Sequence, residues 1–356
     1  MAILFGRDHS REDLQKRVGH LLQVAGVRLM TLTEGSEAGV HIADVRSGSG
    51  LRFQVSLDRG MDISMADYKG IPLAWRSASG DVHPSYYDPR GLGWARSFPG
   101  GLLTGCGLTY LGAPCVDEGE ELGLHGRLSN TPATDIKTGT QWVDDRCIFT
   151  IDGVIRESTP FGYDLVLRRT IEIELGESTI TLRDVVSNEG YRRSPLMILY
   201  HINPGWPLVD EGAKLLLDAA STIPRDEEAT KGFDRATTMS GPLPNFKEQV
   251  FFHDLKADGM AMATALLANT KLKLGLFVRY RQTELPRFIE WKMMGEGAYV
   301  LGLEPANCWV QGRARERERG TLQFLDPGER RTISLQIGIL DGNEAIDNFA
   351  REYNLR

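Results

Sequence analysis

Two apolar stretches of the chain each finish in an ionisable side chain. Residues 196–201 read Leu-Met-Ile-Leu-Tyr-His, and residues 299–304 read Tyr-Val-Leu-Gly-Leu-Glu. At the end of a hydrophobic strand such a side chain is partly shielded from water, which moves its pKa toward neutrality. A histidine and a glutamate with such pKa values suit general acid and base catalysis. His201 and Glu304 are therefore the candidate catalytic pair.

Glycine residues border further candidate groups. His125 lies in the stretch Gly-Leu-His-Gly, residues 123–126, where the glycines let the backbone approach a ligand closely. Gly302 shares a strand face with Glu304, because side chains alternate along a strand, and it leaves room beside the carboxylate. Each candidate also has a structural interpretation: a core histidine bonded to a backbone carbonyl, or a glutamate in an ion pair.

One helix is predicted near the start of the chain. Ser10 is the expected N-cap, Asp13 follows three positions later, and Gly26 is the expected stop signal. The apolar face of this helix comprises Leu14, Val18, Leu21 and Leu22. Residues 1–30 are therefore interpreted as an N-terminal helical extension.

After this extension the apolar residues recur at every second position. The alternation is clearest in residues 52–57, 170–175 and 333–339, and it predicts half-buried strands. Further strand-like runs cover residues 145–157, 195–203, 213–220, 248–256, 260–269, 271–280, 287–292 and 297–304.

Turn residues separate these runs as an antiparallel meander requires. Gly-Glu-Ser at residues 176–178 and Asp-Pro-Gly at residues 326–328 lie between or before alternating runs. So many strands with so little helix predict an all-β fold, a large antiparallel β-sandwich. We expect residues 31–356 to form this sandwich as a single domain, closed by a short C-terminal helix over residues 343–353.

Two segments do not follow the strand pattern. Residues 77–135 are rich in Gly, Pro and Tyr, and residues 222–248 contain three prolines among several charges. Long loops in a compact domain are often functional, so the first segment is expected to pack as irregular backbone beside a binding cleft. The run of residues 313–319 alternates in sign and is interpreted as a solvated hairpin.

The composition excludes several classes of partner. A formal charge of -7 provides no basic surface for nucleic acid, and no segment is long and apolar enough to span a bilayer. Charged residues appear within the first few positions of the N-terminus, which lacks the pattern of a signal peptide, so we expect a cytoplasmic protein. Its partner is then a small molecule.

The cysteines give no sign of a metal site. They show neither CxxC spacing nor paired His and Cys ligand spacing, so we expect buried free thiols. The four residues are Cys106, Cys115, Cys147 and Cys308.

The order of three motifs resembles the aldose 1-epimerase, or galactose mutarotase-like, superfamily. The motifs are Gly-Leu-His-Gly around His125, Tyr-His-Ile-Asn-Pro-Gly-Trp-Pro-Leu from Tyr200, and Leu-Glu-Pro around Glu304. Leu-Asp-Arg-Gly-Met-Asp-Ile from Leu57 and the glycine-rich run from Gly100 resemble an uncharacterised bacterial branch of it. The resemblance spans roughly residues 35 to 340 and implies the galactose mutarotase-like β-sandwich.

The resemblance also implies a sugar mutarotase and the roles of its residues. Glu304 would be the general base that takes the proton from the anomeric hydroxyl of a cyclic aldose. His201 would be the acid that protonates the ring oxygen, so that the ring opens and recloses as either anomer. His125 would hydrogen-bond near the ring oxygen. This chemistry requires neither a metal nor another cofactor.

Six further residues are candidates for substrate binding. Arginine offers planar donors for hydroxyls or an anionic group, tryptophan can stack on a sugar face, and an aspartate binds hydroxyls in the well-studied mutarotases. A surface arginine, a core tryptophan and a satisfied histidine are the structural alternatives. The candidates are Arg59, Arg127, Trp291, Lys292, Asp234 and His253.

Two other functions compete with a mutarotase acting on a neutral or acidic sugar. A carbohydrate-binding protein could keep the cleft without any chemistry. A lyase or hydrolase of a carboxylated sugar could use the same scaffold, but hydrolysis favours two carboxylates flanking the ligand. Only one carboxylate stands out in the sequence, and it faces a histidine, which favours ring opening.

Overall fold

Strands dominate the chain, which a computed structural model describes over all 356 residues. The strands are β1 (Ala2–Leu4), β2 (Arg7–His9), β3 (Gly26–Thr31), β4 (His41–Arg46), β5 (Leu51–Ser56), β6 (Asp62–Tyr68), β7 (Ile71–Pro72), β8 (Thr104–Leu108), β9 (Cys115–Asp117), β10 (Glu120–Leu122), β11 (Thr134–Val143), β12 (Arg146–Ser158), β13 (Asp164–Glu174), β14 (Thr179–Asn188), β15 (Ser194–His201), β16 (Lys214–Leu217), β17 (Ala219–Pro224), β18 (Gln249–Leu255), β19 (Met262–Asn269), β20 (Leu274–Arg281), β21 (Arg287–Gly295), β22 (Ala298–Ala306), β23 (Gln323–Leu325) and β24 (Arg330–Asp341). The helices are α1 (Arg11–Gln15), α2 (Glu227–Lys231), α3 (Arg313–Glu318) and α4 (Asn343–Glu352). None of these helices has the length and apolar character needed to cross a bilayer.

Three antiparallel sheets share one apolar core. An eight-stranded sheet has the order β11-β12-β13-β14-β24-β20-β19-β16, and a five-stranded sheet runs from β3 to β7. A seven-stranded sheet has the order β17-β18-β21-β22-β15-β23, with β8 paired to β15. The main core contains 61 buried residues contributed by all three sheets. The predicted all-β sandwich is confirmed, and α4 confirms the predicted C-terminal helix.

The N-terminal helix is shorter than predicted. Its cap is as expected, because the Ser10 hydroxyl accepts from the Asp13 backbone N–H at 3.1 Å and Asp13 reaches back to the Ser10 N–H at 3.4 Å. Only Leu14 of the helix is buried, so no long apolar face sustains it beyond Gln15. Leu21 and Leu22 belong to a separate single turn, and β3 already begins at Gly26.

The charged run of residues 313–319 forms helix α3, so the predicted solvated hairpin is wrong. Arg313 is buried, and its guanidinium donates to Asp117 and Glu120, both at 2.6 Å. Arg315 and Glu318 pair on the exposed side, three residues apart. Alternating charges therefore serve here as partners along and across a helix.

A second core lies on the outer face of the seven-stranded sheet. It contains 12 buried residues and joins side chains of β15, β18, β21 and β22 to side chains from residues 77–135. The irregular segment therefore packs on this sheet, as predicted. All four cysteines are free thiols, and Cys106 and Cys308 are buried in this second core.

Candidate functional site

Strand pairing brings His201 and Glu304 together on the outer face of the seven-stranded sheet. Leu199 on β15 pairs with Ala306 on β22, and a bridge follows between Ile202 and Leu303. This register places the imidazole Nε2 of His201 3.2 Å from Oε1 of Glu304. Both side chains are almost fully buried, with exposed fractions of 5% and 3%. Segments about a hundred residues apart thus meet in one pair of ionisable groups.

Trp291 joins this pair through the neighbouring strand. It lies opposite Gly302 in the pairing of β21 with β22, so its side chain projects from the same face. A Cβ at Gly302 would lie 2.7 Å from the Glu304 carboxylate and 3.1 Å from the His201 ring. The absence of a side chain at Gly302 therefore makes room for the pair itself, and the predicted closeness of Gly302 to the carboxylate is correct.

His125 reaches the same place from the irregular segment. Its backbone N–H donates to Gly112 at 3.0 Å, and its carbonyl accepts from Gly107 at 3.1 Å. Gly126, with φ of +79°, could not carry a Cβ, which would lie 2.4 Å from the Tyr110 carbonyl oxygen. These contacts hold the His125 ring with its centroid 5.9 Å from that of His201.

Aromatic rings surround the two histidines. Trp291 and Phe98 lie 5.3 and 5.4 Å from the His201 ring, and Trp94 lies 4.7 Å from the His125 ring, between centroids. Trp75 contacts both Phe98 and Trp291, at 5.8 and 6.2 Å. Such rings exclude water and can stack against the apolar face of a sugar.

This enclosure favours the uncharged form of each site group, so the expectation that burial moves both pKa values toward neutrality is wrong for His201. Removal from water, together with the smaller effect of the neighbouring His125, lowers the pKa of His201 to about 3. It also lowers the pKa of His125 to about 4 and raises the pKa of Glu304 well above its ordinary value. The negative charge of Glu248 adds to the increase at Glu304. Burial therefore favours a neutral carboxyl group on Glu304 beside a neutral imidazole on His201.

Both histidines keep an unused hydrogen-bonding atom. Nδ1 of His201 and Nδ1 of His125 are buried and make no hydrogen bond of normal geometry, although the side chain of Asn203 acts on His201 as a weak hydrogen-bond partner. A buried polar atom without a partner is unfavourable, and strain, a catalytic role or an additional hydrogen-bonding group can each account for it. The cluster can therefore move a proton between His201 and Glu304 while offering free ring nitrogens to a bound molecule.

Arg59 does not lie open to a ligand, because it is completely buried. Its Nη1 donates to the Val82 carbonyl at 2.6 Å and to Asn130 Oδ1 at 3.1 Å, and its Nη2 donates to the Ser97 carbonyl at 2.6 Å. Arg59 thus ties together three parts of the irregular segment that covers the site. Its contribution to the cleft is indirect.

Lys292 and His253 project from the opposite face of the sheet. Lys292 follows Trp291 on β21 and therefore points away from the cluster, where its ammonium donates to the carbonyls of residues 235, 236 and 238. His253 binds Glu290 at 2.9 Å and Thr222 at 2.9 Å through its two ring nitrogens. Neither side chain is available to a ligand beside Glu304.

The remaining two candidates are exposed. Arg127 follows His125 by two residues. Its charge lies close enough to Tyr110 and Tyr87 to act on the pKa of both hydroxyl groups. Asp234 lies in a single helical turn after α2 and makes no hydrogen bond or ion pair with the site residues. The structure therefore brings together His125, His201, Glu304 and Trp291 from the predicted set, and it leaves Arg127 and Asp234 on the surface.

Five further residues belong to the site and were not predicted. Trp94 and Phe98 lie in the irregular segment, and the expectation that this segment borders a cleft was the signal for them. Trp75 follows β7, while Arg225 and Glu248 flank β17 and β18. The sequence could have indicated Arg225 and Glu248 only as charged residues directly after or before strands of this sheet.

Comparison with known families gives a match over most of the chain. The model of the family described as "Domain of unknown function (DUF4432)" matches residues 37–339. No curated protein matches the chain.

Solved structures share the architecture. A candidate aldose 1-epimerase from Klebsiella pneumoniae is 26% identical, with a TM-score of 0.88 over 92% of this chain and 86% of that chain. A galactose mutarotase-like protein from Clostridium acetobutylicum is 12% identical, with a TM-score of 0.63 over 90% of this chain and 99% of the other. A galactose 1-epimerase from Lactobacillus acidophilus is 12% identical, with a TM-score of 0.58 over 90% of this chain and all of the other. At 12% identity the last two show the fold alone.

Proposed function

The chain belongs to the DUF4432 family within the galactose mutarotase-like superfamily, and we propose that it is a sugar mutarotase. It would interconvert the anomers of a cyclic aldose by opening and reclosing the ring. The observation that carries the proposal is the 3.2 Å contact between His201 and Glu304 beneath a set of aromatic rings. The name of the Klebsiella structure agrees with this chemistry.

The geometry of the pair fits a hemiacetal. The anomeric oxygen and the ring oxygen are bonded to the same carbon, so an acid and a base that act on them must lie close together. With reactive atoms 3.2 Å apart, Glu304 faces the anomeric hydroxyl while His201 faces the ring oxygen. The free Nδ1 of His125 donates or accepts beside the ring oxygen and fixes the orientation of the sugar.

The proton count of the site also fits the reaction. Ring opening begins with an ionised Glu304 and a protonated His201, and it ends with both groups neutral. Burial favours the neutral pair, so ring opening is preceded by transfer of the proton from Glu304 to His201 across their 3.2 Å contact. Ring closure on either face of the aldehyde returns the proton in the reverse direction, so the pair needs no proton from water.

The test is a measurement of anomer exchange by saturation-transfer NMR. The wild-type protein and Glu304→Gln are compared on neutral, uronic, phosphorylated and sulfonated aldoses. Replacing the carboxyl group removes the base, and general base catalysis contributes about 10²–10⁴-fold, so the exchange rate should fall by about that factor. Near-UV circular dichroism of both proteins checks that the fold is retained.

Two results would contradict the proposal. Equal exchange rates for wild type and Glu304→Gln on every responsive sugar would remove Glu304 from the mechanism. Sugar binding by wild type without any exchange would identify a carbohydrate-binding protein instead.

A further inference from the structure

A series of side-chain hydrogen bonds that lies outside the His201–Glu304 pair ends at Trp291. The indole N–H of Trp291 donates to Oε2 of Glu248 at 2.9 Å, and Oε1 of Glu248 accepts from Arg225 at 3.0 Å. Arg225 also donates to Asp226 at 2.7 Å. Charge-assisted hydrogen bonds of this kind are about twice as strong as neutral ones.

The end of this hydrogen-bond series that lies away from Trp291 is anchored in the fold. The carboxylate of Asp226 caps α2 by accepting from the Ala229 backbone N–H at 2.9 Å. The backbone N–H of Arg225 donates to Val250 on β18 at 2.9 Å. Because both ends of the chain are tied to regular structure, Glu248 has a defined position although half of its side chain is exposed.

Trp291, at the other end of this hydrogen-bond series, forms one wall of the cleft. The Trp291 ring stands edge-on to the His201 ring, with an angle of 77° between their planes. An indole attached through one Cβ can rotate about its side-chain torsions unless its N–H is held. The bond to Glu248 adds to the packing against Trp75, Phe98 and His201 in favouring the rotamer in which the ring borders His201.

We infer that Glu248, held by Arg225, is a positioning residue that orients Trp291 as the wall against which the sugar stacks. The inference rests on the proposed function, since it assigns this wall to a bound sugar. Stacking on an indole is made equally in the ground state and in the transition state. Loss of the wall should therefore raise KM, whereas loss of the Glu248 charge that acts on Glu304 should change kcat.

Four variants separate the hydrogen bond from the charge. Glu248→Gln keeps an oxygen that accepts from the indole N–H, whereas Glu248→Ala removes it. Trp291→Phe removes the donor itself. Glu189→Ala is the matched control, because Glu189 is a partly exposed glutamate bonded to Arg168 at 2.8 Å outside the site.

The first measurement is ¹⁵N–¹H NMR of the six tryptophan indoles in the sugar-free protein. Trp291→Phe identifies the Trp291 resonance by its disappearance. In Glu248→Ala this resonance should move toward the position of a solvent-exposed indole and exchange faster with water. In Glu248→Gln and Glu189→Ala it should stay close to its wild-type position.

The second measurement is the anomer-exchange rate as a function of sugar concentration. Glu248→Ala should raise KM by about two- to tenfold, the cost of ordering one side chain when the sugar binds, while Glu189→Ala stays near wild type. Glu248→Gln should raise KM less than Glu248→Ala, and its kcat should change because the charge that acts on Glu304 is lost. An unchanged Trp291 resonance in Glu248→Ala overturns the inference, and so does a shifted resonance with an unchanged KM. The indole measurement needs no sugar, so its result is independent of whether the protein exchanges anomers.

Discussion

The seven-stranded sheet holds two buried His–Glu pairs, one on each face. On the outer face, His201 lies 3.2 Å from Glu304, and both side chains keep a few per cent of exposure. On the inner face, His253 lies 2.9 Å from Glu290, and neither side chain has any exposed surface. The same two residue types thus meet at similar distances within one sheet.

The partners of each imidazole distinguish the two pairs. Both ring nitrogens of His253 are bonded, one to Glu290 and the other to Thr222. His201 has its Nδ1 free, and the rings around it are those of a cleft. A His–Glu contact alone is therefore not a mark of catalysis. The aromatic cleft around His201 is what distinguishes the outer pair from the inner one.

The largest expected effect concerns activity. His201→Asn should slow anomer exchange by about 10²–10⁴-fold, because it removes the acid, whereas His253→Asn should leave the rate per folded molecule within a few fold. Saturation-transfer NMR measures both rates, and active concentrations are normalised by near-UV circular dichroism. Equal losses in the two variants would show that both histidines act only through the fold.

The second expected effect is on stability, where the loss of His253 should cost more than the loss of His201. His253→Ala should lower the free energy of unfolding by about 3–5 kcal/mol, because it leaves the Glu290 carboxylate buried without its partner. His201→Ala should lower it less, since Glu304 can stay protonated beside the cleft. Urea denaturation followed by circular dichroism gives both values. A larger loss for His201→Ala would mean that the outer pair is the structural one.

Strand pattern and motif order were enough to predict the centre of the site from the sequence. The apolar runs ending in His201 and Glu304 predicted strands that the structure contains, although β22 continues two residues past Glu304. The alternation along β21 also accounts for one error. Lys292 follows Trp291 directly, so the two side chains had to point to opposite faces, and only Trp291 could border Glu304.

Contacts between distant segments could not be predicted in the same way. The burial of Arg59 depends on carbonyl groups of Val82 and Ser97, whose positions follow from an irregular backbone. The chain from Arg225 through Glu248 to Trp291 depends on how β17, β18 and β21 pair. Periodicity identifies strands and faces, but it does not determine which strands are neighbours.

The smallest expected effect is on the pH dependence of stability, and it isolates His201. The pKa of this side chain is lowered to about 3 by burial, against an ordinary value of about 6.5 in an unfolded chain. As pH falls below about 6.5 the unfolded state binds this proton first, so the folded state loses stability, by about 2 kcal/mol at pH 5. Replacing the imidazole removes this loss, and urea denaturation at pH 7 and pH 5 should therefore show a smaller decrease for His201→Gln than for wild type. Equal decreases in the two proteins would mean that His201 has the same pKa in the folded state as in the unfolded chain. That result would contradict the burial of the outer pair.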